Sequence, residues 1–256
     1  MTETVKIIKI KGSVKESVED IVVEEIPFTL NVNDKELVTL LCTPIDLDDL
    51  AGGFLFTSGL INKIEDIKKI VINQEQWVAY IDLADAAVMN DLVFKRLYTS
   101  GCGRGTLFYS VQDMAKRSKV VSSLKIEAIK INALMTYFQK KSELYLKTGG
   151  VHSAALADDK EILVFKEDIG RHNAIDKVIG QGLKENIDFQ NKIMISSGRI
   201  SSEVLLKIQK CNIPVVISKS APTNQAIKLS KDRGITLIGF ARGNRMNVYS
   251  NEERIA

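Results

Sequence analysis

With 256 residues, 45 % of them hydrophobic and 26 % charged, and a formal net charge of +3, the chain has the composition of a globular protein of one large domain or two smaller ones. So small a net charge excludes a broad basic surface and, with it, nucleic acid as the expected partner. No stretch approaches the roughly 20 apolar residues of a membrane helix, so no membrane association is expected.

The first residues, MTETVKIIKIKGS, mix Lys and Glu into their apolar positions, unlike a secretory signal, and the expected location is cytoplasmic. Residues 20–42 alternate apolar and polar side chains around Asn33-Asp34, the pattern of a β-hairpin with a short turn. Thr43-Pro44-Ile45-Asp46 reads as a helix start, with Thr43 as N-cap, Pro44 in the first helical position and Asp46 in the first turn. That helix runs through LDDLAGGFLF and stops near Gly59. KKIVINQ and WVAYIDL are strand-like, which completes a small α+β unit.

Residues 126–146 carry apolar side chains at helical spacing and predict one helix ended by Gly149-Gly150. Beyond it the pattern becomes α/β. VHSAALA and EILVFKE read as paired strands about Asp158-Asp159. HNAIDKVIGQGLK (helix), NKIMISS (strand), SSEVLLKIQK (helix), IPVVISK (strand), PTNQAIKLSKDRG (helix) and ITLIGFA (strand) then alternate, which implies parallel pairing through helical crossovers. The expected division is a small N-terminal α+β domain over residues 1–105 and an α/β domain over 106–256, so that the fold class is α/β, or α+β overall.

Ligands of open α/β sheets bind beyond the carboxyl ends of the strands, and unusual residues gather there. Ser197, Gly198 and Arg199 follow KIMIS and precede a helix; Ser218-Lys219-Ser220 follow PVVI; Phe240, Ala241, Arg242, Gly243, Asn244 and Arg245 close the last strand. Free N–H groups at helix starts and guanidinium groups suit phosphate, and Phe240 offers a ring for stacking. The plainer account of each loop is an N-cap or a tight turn. Glu167-Asp168-Ile169-Gly170-Arg171-His172-Asn173-Ala174-Ile175-Asp176-Lys177 is denser. There Glu167 or Asp168 suits the N1–H and amine of a guanine, and Arg171 and Lys177 suit phosphate; the competing account is a solvated, salt-bridged helix start. Gly150 and His152 stand before a strand, where a lone His is as well explained by packing.

Three cysteines, Cys42, Cys102 and Cys211, and two histidines are too few for a disulfide framework or an all-thiolate zinc site. Cys42 ends an apolar strand and Cys211 a helix, so both read as small buried hydrophobes. Cys102 instead sits in Ser100-Gly101-Cys102-Gly103-Arg104-Gly105. Glycines leave its thiol little cover, and Arg104 favours the reactive thiolate. The alternative is a structural loop cysteine.

TPIDLDDLAGGFLFTSGLI, TGGVHSAAL, EDIGRHNAIDKVIG, SSGRISSEVLLKI, SKSAPTNQAI and TLIGFARGNRMNVYS, taken together, resemble the signatures of the formate dehydrogenase accessory sulfurtransferase family, in order and over almost the whole chain. The resemblance implies a C-terminal domain with a cytidine-deaminase-like mixed sheet. It also implies that persulfide sulfur passes from a cysteine desulfurase to Cys102, and from there to a molybdenum (or tungsten) bis-molybdopterin guanine dinucleotide cofactor destined for formate dehydrogenase. GDP would mimic part of that cofactor. Homodimers are implied too, as is a cofactor site that includes Phe240 to Arg245. The residues expected to hold the cofactor are therefore these six with Gly150, His152, Asp168, Arg171, His172, Asn173, Lys177, Ser197, Gly198, Arg199 and Ser220. Many family members have Cys-Gly-x-Cys-Gly in the loop; here Gly105 takes the second cysteine's place, which leaves a one-thiol relay.

Zinc deaminase chemistry does not fit: His152 is followed by Ser153-Ala154 and no Cys-x-x-Cys exists, so no metal ligands are expected. Two other functions compete with the relay. One is a chaperone that binds and delivers the cofactor without the thiol; the other is a nucleotide-responsive regulator.

Overall fold

The computed structural model describes residues 1–85, 97–98, 106–107 and 119–256. It opens with a hairpin of two ten-residue strands, β1 (Thr2–Lys11) and β2 (Val14–Val23), turned at Gly12 with φ 62°. Lys6 faces Glu19 and Lys9 faces Glu16 across the ribbon, which supplies opposite-charge pairs where the ribbon has no sheet behind it. Ile8 and Ile10 are 60 % and 62 % exposed. At its base Val23 lies against Gly150, where an added Cβ would meet Val23 Cγ1 at 2.8 Å.

β3 (Ile26–Val32) and β4 (Lys35–Cys42) form the hairpin expected from the alternation. Asn33 and Asp34 take φ 48° and 61°, the conformation of a two-residue turn whose twist matches that of the strands. β5 (Ile67–Asn73) and β6 (Val78–Leu83) complete a sheet of order β4-β3-β6-β5, with β6 parallel to β3. Helix α1 (Leu47–Thr57) starts later than the sequence suggests. Asp46 adopts a left-handed φ of 53° with no side-chain cap, because the Thr43 side chain is taken up by Asp168 and Lys177. Two short paired strands, β7 (Leu97–Tyr98) and β8 (Thr106–Leu107), follow. The boundary expected near residue 105 falls outside the described residues.

The expected single helix over 126–146 is two. α2 (Ala128–Lys141) ends at Ser142, and α3 (Glu143–Thr148) runs on to Gly149, whose φ of 67° closes it. The Glu167 carboxylate explains the break: it accepts Leu144 N–H and Tyr145 N–H, both at 3.1 Å, and so caps a new helix start. β9 (His152–Ala157), β10 (Ile162–Asp168), β11 (Ile193–Ser196), β12 (Val215–Ser218), β13 (Thr236–Arg242) and β14 (Arg245–Ser250) build a six-stranded mixed sheet of order β10-β9-β11-β12-β13-β14. β11, β12 and β13 are parallel, as the crossovers required. β9 pairs antiparallel with β11 and β10, and β14 antiparallel with β13. The α/β class with a mixed sheet and a smaller α+β unit is what the chain adopts.

Alternate strand residues face opposite layers. Ala154, Leu156, Met194 and Val216 pack with α4 (Arg171–Lys184), α5 (Ser202–Lys210) and α6 (Asn224–Arg233), while Ala155, Ile193, Ile195 and Ile217 pack with Ile131, Met135 and Phe138 of α2. The first of these cores continues without interruption into Phe28, Leu30, Leu50 and Leu55 of the N-terminal unit. That continuity depends on α1 lying directly on α4. A Cβ on Gly53 would stand 1.9 Å from the Asp176 carbonyl oxygen, and one on Gly180 would stand 1.9 Å from that of Asp49.

Gly53→Ala and Gly180→Ala are therefore each expected to cost about 3 kcal/mol or more, since backbone must move to admit the methyl. Gly52→Ala, whose Cβ would meet only Ile64 Cδ1 at 3.5 Å, is expected to be neutral or to stabilise by up to about 1 kcal/mol. Urea unfolding midpoints of the three variants check this.

Candidate functional site

The junction between β10 and α4 holds the densest motif of the sequence, and it is buried. Asp168 and Lys177 are both 0 % exposed, with Lys177 Nζ 2.6 Å from Asp168 Oδ2. The same oxygen accepts Thr43 N–H (3.1 Å) and Thr43 Oγ1–H (3.0 Å), and the other accepts Gly170 N–H (2.8 Å) and Asn173 Nδ2–H (2.9 Å). Asn173 also donates to the Leu41 carbonyl at 2.8 Å. Asp168, Asn173 and Lys177 thus tie the start of α4 to the end of β4. Glu167, in capping α3, is likewise engaged.

A second buried chain runs beside it. Lys207 of α5 reaches Asp176 Oδ2, and Asp176 Oδ1 accepts the Thr57 hydroxyl of α1 at 2.8 Å. His172 Nδ1 stands 3.3 Å from Glu203 Oε1. Burial, reinforced by the charges of Lys207, Arg171 and Arg199, pushes the His172 pKa down to about 2. Burial also raises that of Glu203. At neutral pH the imidazole is uncharged, and it belongs to the packing between α4 and α5.

The open site lies at the carboxyl ends of the parallel strands. A cleft of about 580 Å³ is bounded on one side by Ser142, Tyr145, Leu146, Gly149 and Gly150, and on the other by Ser197, Lys219, Ser220 and Arg242. The half-buried His152, the buried Ser153 and the exposed Lys140 also line it. Among the described residues, three cations and a histidine line it, and no Asp or Glu does. Ser197 Oγ accepts Ser153 N–H at 2.9 Å and lies 3.3 Å from His152 Nδ1. Arg242 Nε donates to the Lys219 carbonyl at 2.8 Å, which ties the end of β13 to the loop after β12. Burial and the neighbouring Arg171 charge lower the His152 pKa. This arrangement offers hydroxyl donors and cations to an anion.

Of the residues expected to bind, Gly150, His152, Ser197, Ser220 and Arg242 line this cleft. Gly198 sits just behind it, where an added Cβ would meet Arg171 Cβ at 2.9 Å; Arg171 is half-buried over it at the start of α4. Arg199 is exposed. Phe240 through Arg245 form the tip of the β13–β14 hairpin rather than a loop. Phe240 takes φ 52° and its N–H donates to the Ser220 carbonyl at 3.1 Å. Ala241 is buried, Gly243 turns the chain at φ 57°, and Asn244 and Arg245 are exposed. Only Arg242 of the six lines the cleft. Sequence reasoning missed Lys140, Tyr145 and Lys219 as lining residues. The lysine within Ser218-Lys219-Ser220 was a usable signal; Tyr145 was concealed in an apparently continuous helix.

Cys102 lies outside the described residues, in sequence between β7 and β8. The other two cysteines are buried, and burial, with the nearby Asp168 charge, pushes the Cys42 thiol up to about 12, far from thiolate reactivity. Among the described residues no cluster of three His, Cys, Asp or Glu could hold a metal ion, and no helix is long and apolar enough to cross a membrane.

The model of the FdhD/NarQ family matches residues 23–256. Sulfur carrier protein FdhD of Bacillus subtilis is 43 % identical over 239 residues, covering 93 % of this chain and 91 % of its own. That of Bacillus pumilus is 42 % identical over 237 residues, covering 92 % and 90 %. The crystal structure of a formate dehydrogenase accessory protein from Desulfotalea psychrophila superposes with a TM-score of 0.83 at 25 % identity, covering 100 % of this chain and 99 % of that one.

The depressed His172 pKa has a sign that can be tested. The unfolded chain binds the proton near pH 6.5 and the native chain does not, so His172 costs stability as pH falls below about 6.5. Between pH 7 and pH 5 this loss is about 2 kcal/mol. In His172→Phe the pH-dependence of the urea unfolding free energy is expected to be shallower by that amount.

Proposed function

The chain belongs to the FdhD/NarQ family, and on that premise we propose that it is a cytoplasmic sulfurtransferase for formate dehydrogenase. It takes persulfide sulfur from a cysteine desulfurase onto Cys102 and passes it to the molybdenum or tungsten bis-molybdopterin guanine dinucleotide, its bound substrate. It works as a homodimer. The Cys102 thiolate attacks the terminal sulfur of the donor persulfide; a new S–S bond forms at Cys102 as the donor's S–S bond breaks, and the donor cysteine leaves as thiolate. One loop thiol suffices for this step, so Gly105 in the second cysteine's place does not prevent it.

The observation that carries the reading is the cleft's charge. Lys219, Arg242, Ser197 and Ser220 at the ends of β11, β12 and β13 share the cleft with His152 and with Lys140 of α2, and among the described residues no Asp or Glu lines it. Such a lining suits the diphosphates of a dinucleotide. The names of the relatives as sulfur carriers support the other half, and the burial of Cys42 and Cys211 leaves Cys102 as the thiol for it.

Incubation with a cysteine desulfurase and cysteine is expected to add the mass of one sulfur atom to the Cys102 peptide, and Cys102→Ser is expected to abolish both this uptake and formate dehydrogenase activity in a complemented deficient cell. Full rescue by Cys102→Ser would instead favour a chaperone that holds and delivers the cofactor without transferring sulfur.

A further inference from the structure

Side chains from the two walls of the cleft meet at Tyr145 and Lys219. On one wall, α3 is anchored by the Glu167 cap and by Ser142 Oγ, 2.8 Å from Ser153 Oγ. On the other, Lys219 N–H donates to the Ser196 carbonyl at 3.1 Å, and the Lys219 carbonyl accepts from Arg242. Both backbones are therefore pinned. Between them the Lys219 ammonium lies 5.9 Å from the centroid of the Tyr145 ring, and Tyr145 is 45 % exposed. An exposed cation–π contact of this length is weak and readily exchanged. Of the described aromatic residues that line the cleft, Tyr145 is exposed and Phe138 is buried.

We infer that Tyr145 and Lys219 together set the cleft's selectivity for a ligand that has both a planar ring and a phosphate. The entering ring takes the ammonium's place on Tyr145, and the released Lys219 turns to the phosphate, where Arg242 adds a second cation. The pair thus selects the nucleotide portion of the substrate and spans the cleft when none is bound. This rests on the reading of the cleft given above and adds which residues make it prefer a nucleotide to a bare diphosphate. Stacking on an aromatic side chain contributes enough to decide that preference.

Isothermal titration of the full chain with GDP and with inorganic pyrophosphate tests it. Tyr145→Ala is expected to weaken GDP about tenfold while leaving pyrophosphate within about twofold, and Tyr145→Phe, which keeps the ring, to restore GDP affinity. Lys219→Gln is expected to weaken both ligands and to reduce the salt dependence of each. If the wild type binds both ligands and Tyr145→Ala weakens them equally, or neither, this inference fails and the cleft reading stands. If the wild type binds neither, both fail.

Discussion

Asp168 accepts five hydrogen bonds with no exposure to water, and one of its partners, Thr43, lies 125 residues away in the chain. Removing one member of such a buried pair leaves an uncompensated charge and costs about 3–5 kcal/mol. The Asp176–Lys207–Thr57 chain and the glycine contact between α1 and α4 act across the same boundary. Together they hold the four-stranded sheet against the six-stranded one and fix where α4 begins. They also shape the site indirectly. Glu167, Asp168 and Asp176 are all committed to capping or pairing, and among the described residues no carboxylate lines the cleft beside its lysines and arginine.

Local pattern made much of the fold legible. The Asn33-Asp34 hairpin, the β9–β10 pair and the parallel run β11 to β13 each rest on periodicity and turn chemistry within a few residues. The β1–β2 ribbon is written in the same terms, since VKIIKIK and VKESVEDIVV flank Gly12-Ser13, although the lysines and glutamates among its apolar residues blur the alternation. What escaped depends on distant partners. Thr43 looks like an N-cap until Asp168 claims it, and the break at Ser142 needs Glu167 from β10. The number of polar residues in EDIGRHNAIDK suggested a ligand, but a buried joint needs as many. The strand reading ends at ITLIGFA, and β14 beyond it pairs back on β13 around Gly243-Asn244.

The site was legible at its strand ends and less so at its walls. Ser197, Ser220 and Arg242 follow from the rule that ligands sit beyond the carboxyl ends of the strands, whereas Gly150 and His152 join them because β9 runs antiparallel to β11 and so starts at the same edge. Tyr145 and Lys140 belong to helices on the opposite wall, and only the tertiary arrangement brings them there. The proposed relay links this cleft to Cys102 by chemistry: a cation-lined place for the cofactor, and one cysteine left for sulfur once Cys42 and Cys211 are buried.

A crystal structure of the chain with GDP tests the central claim most directly, because a second concavity of about 430 Å³, between Phe56, Leu183 and Lys210, offers the ligand a different home. The account predicts diphosphate oxygens within hydrogen-bonding distance of Ser197, Lys219, Ser220 or Arg242, with Asp168 and Lys177 still paired beneath. GDP seated in the second concavity, or bound only after the Asp168–Lys177 pair has opened, would contradict it.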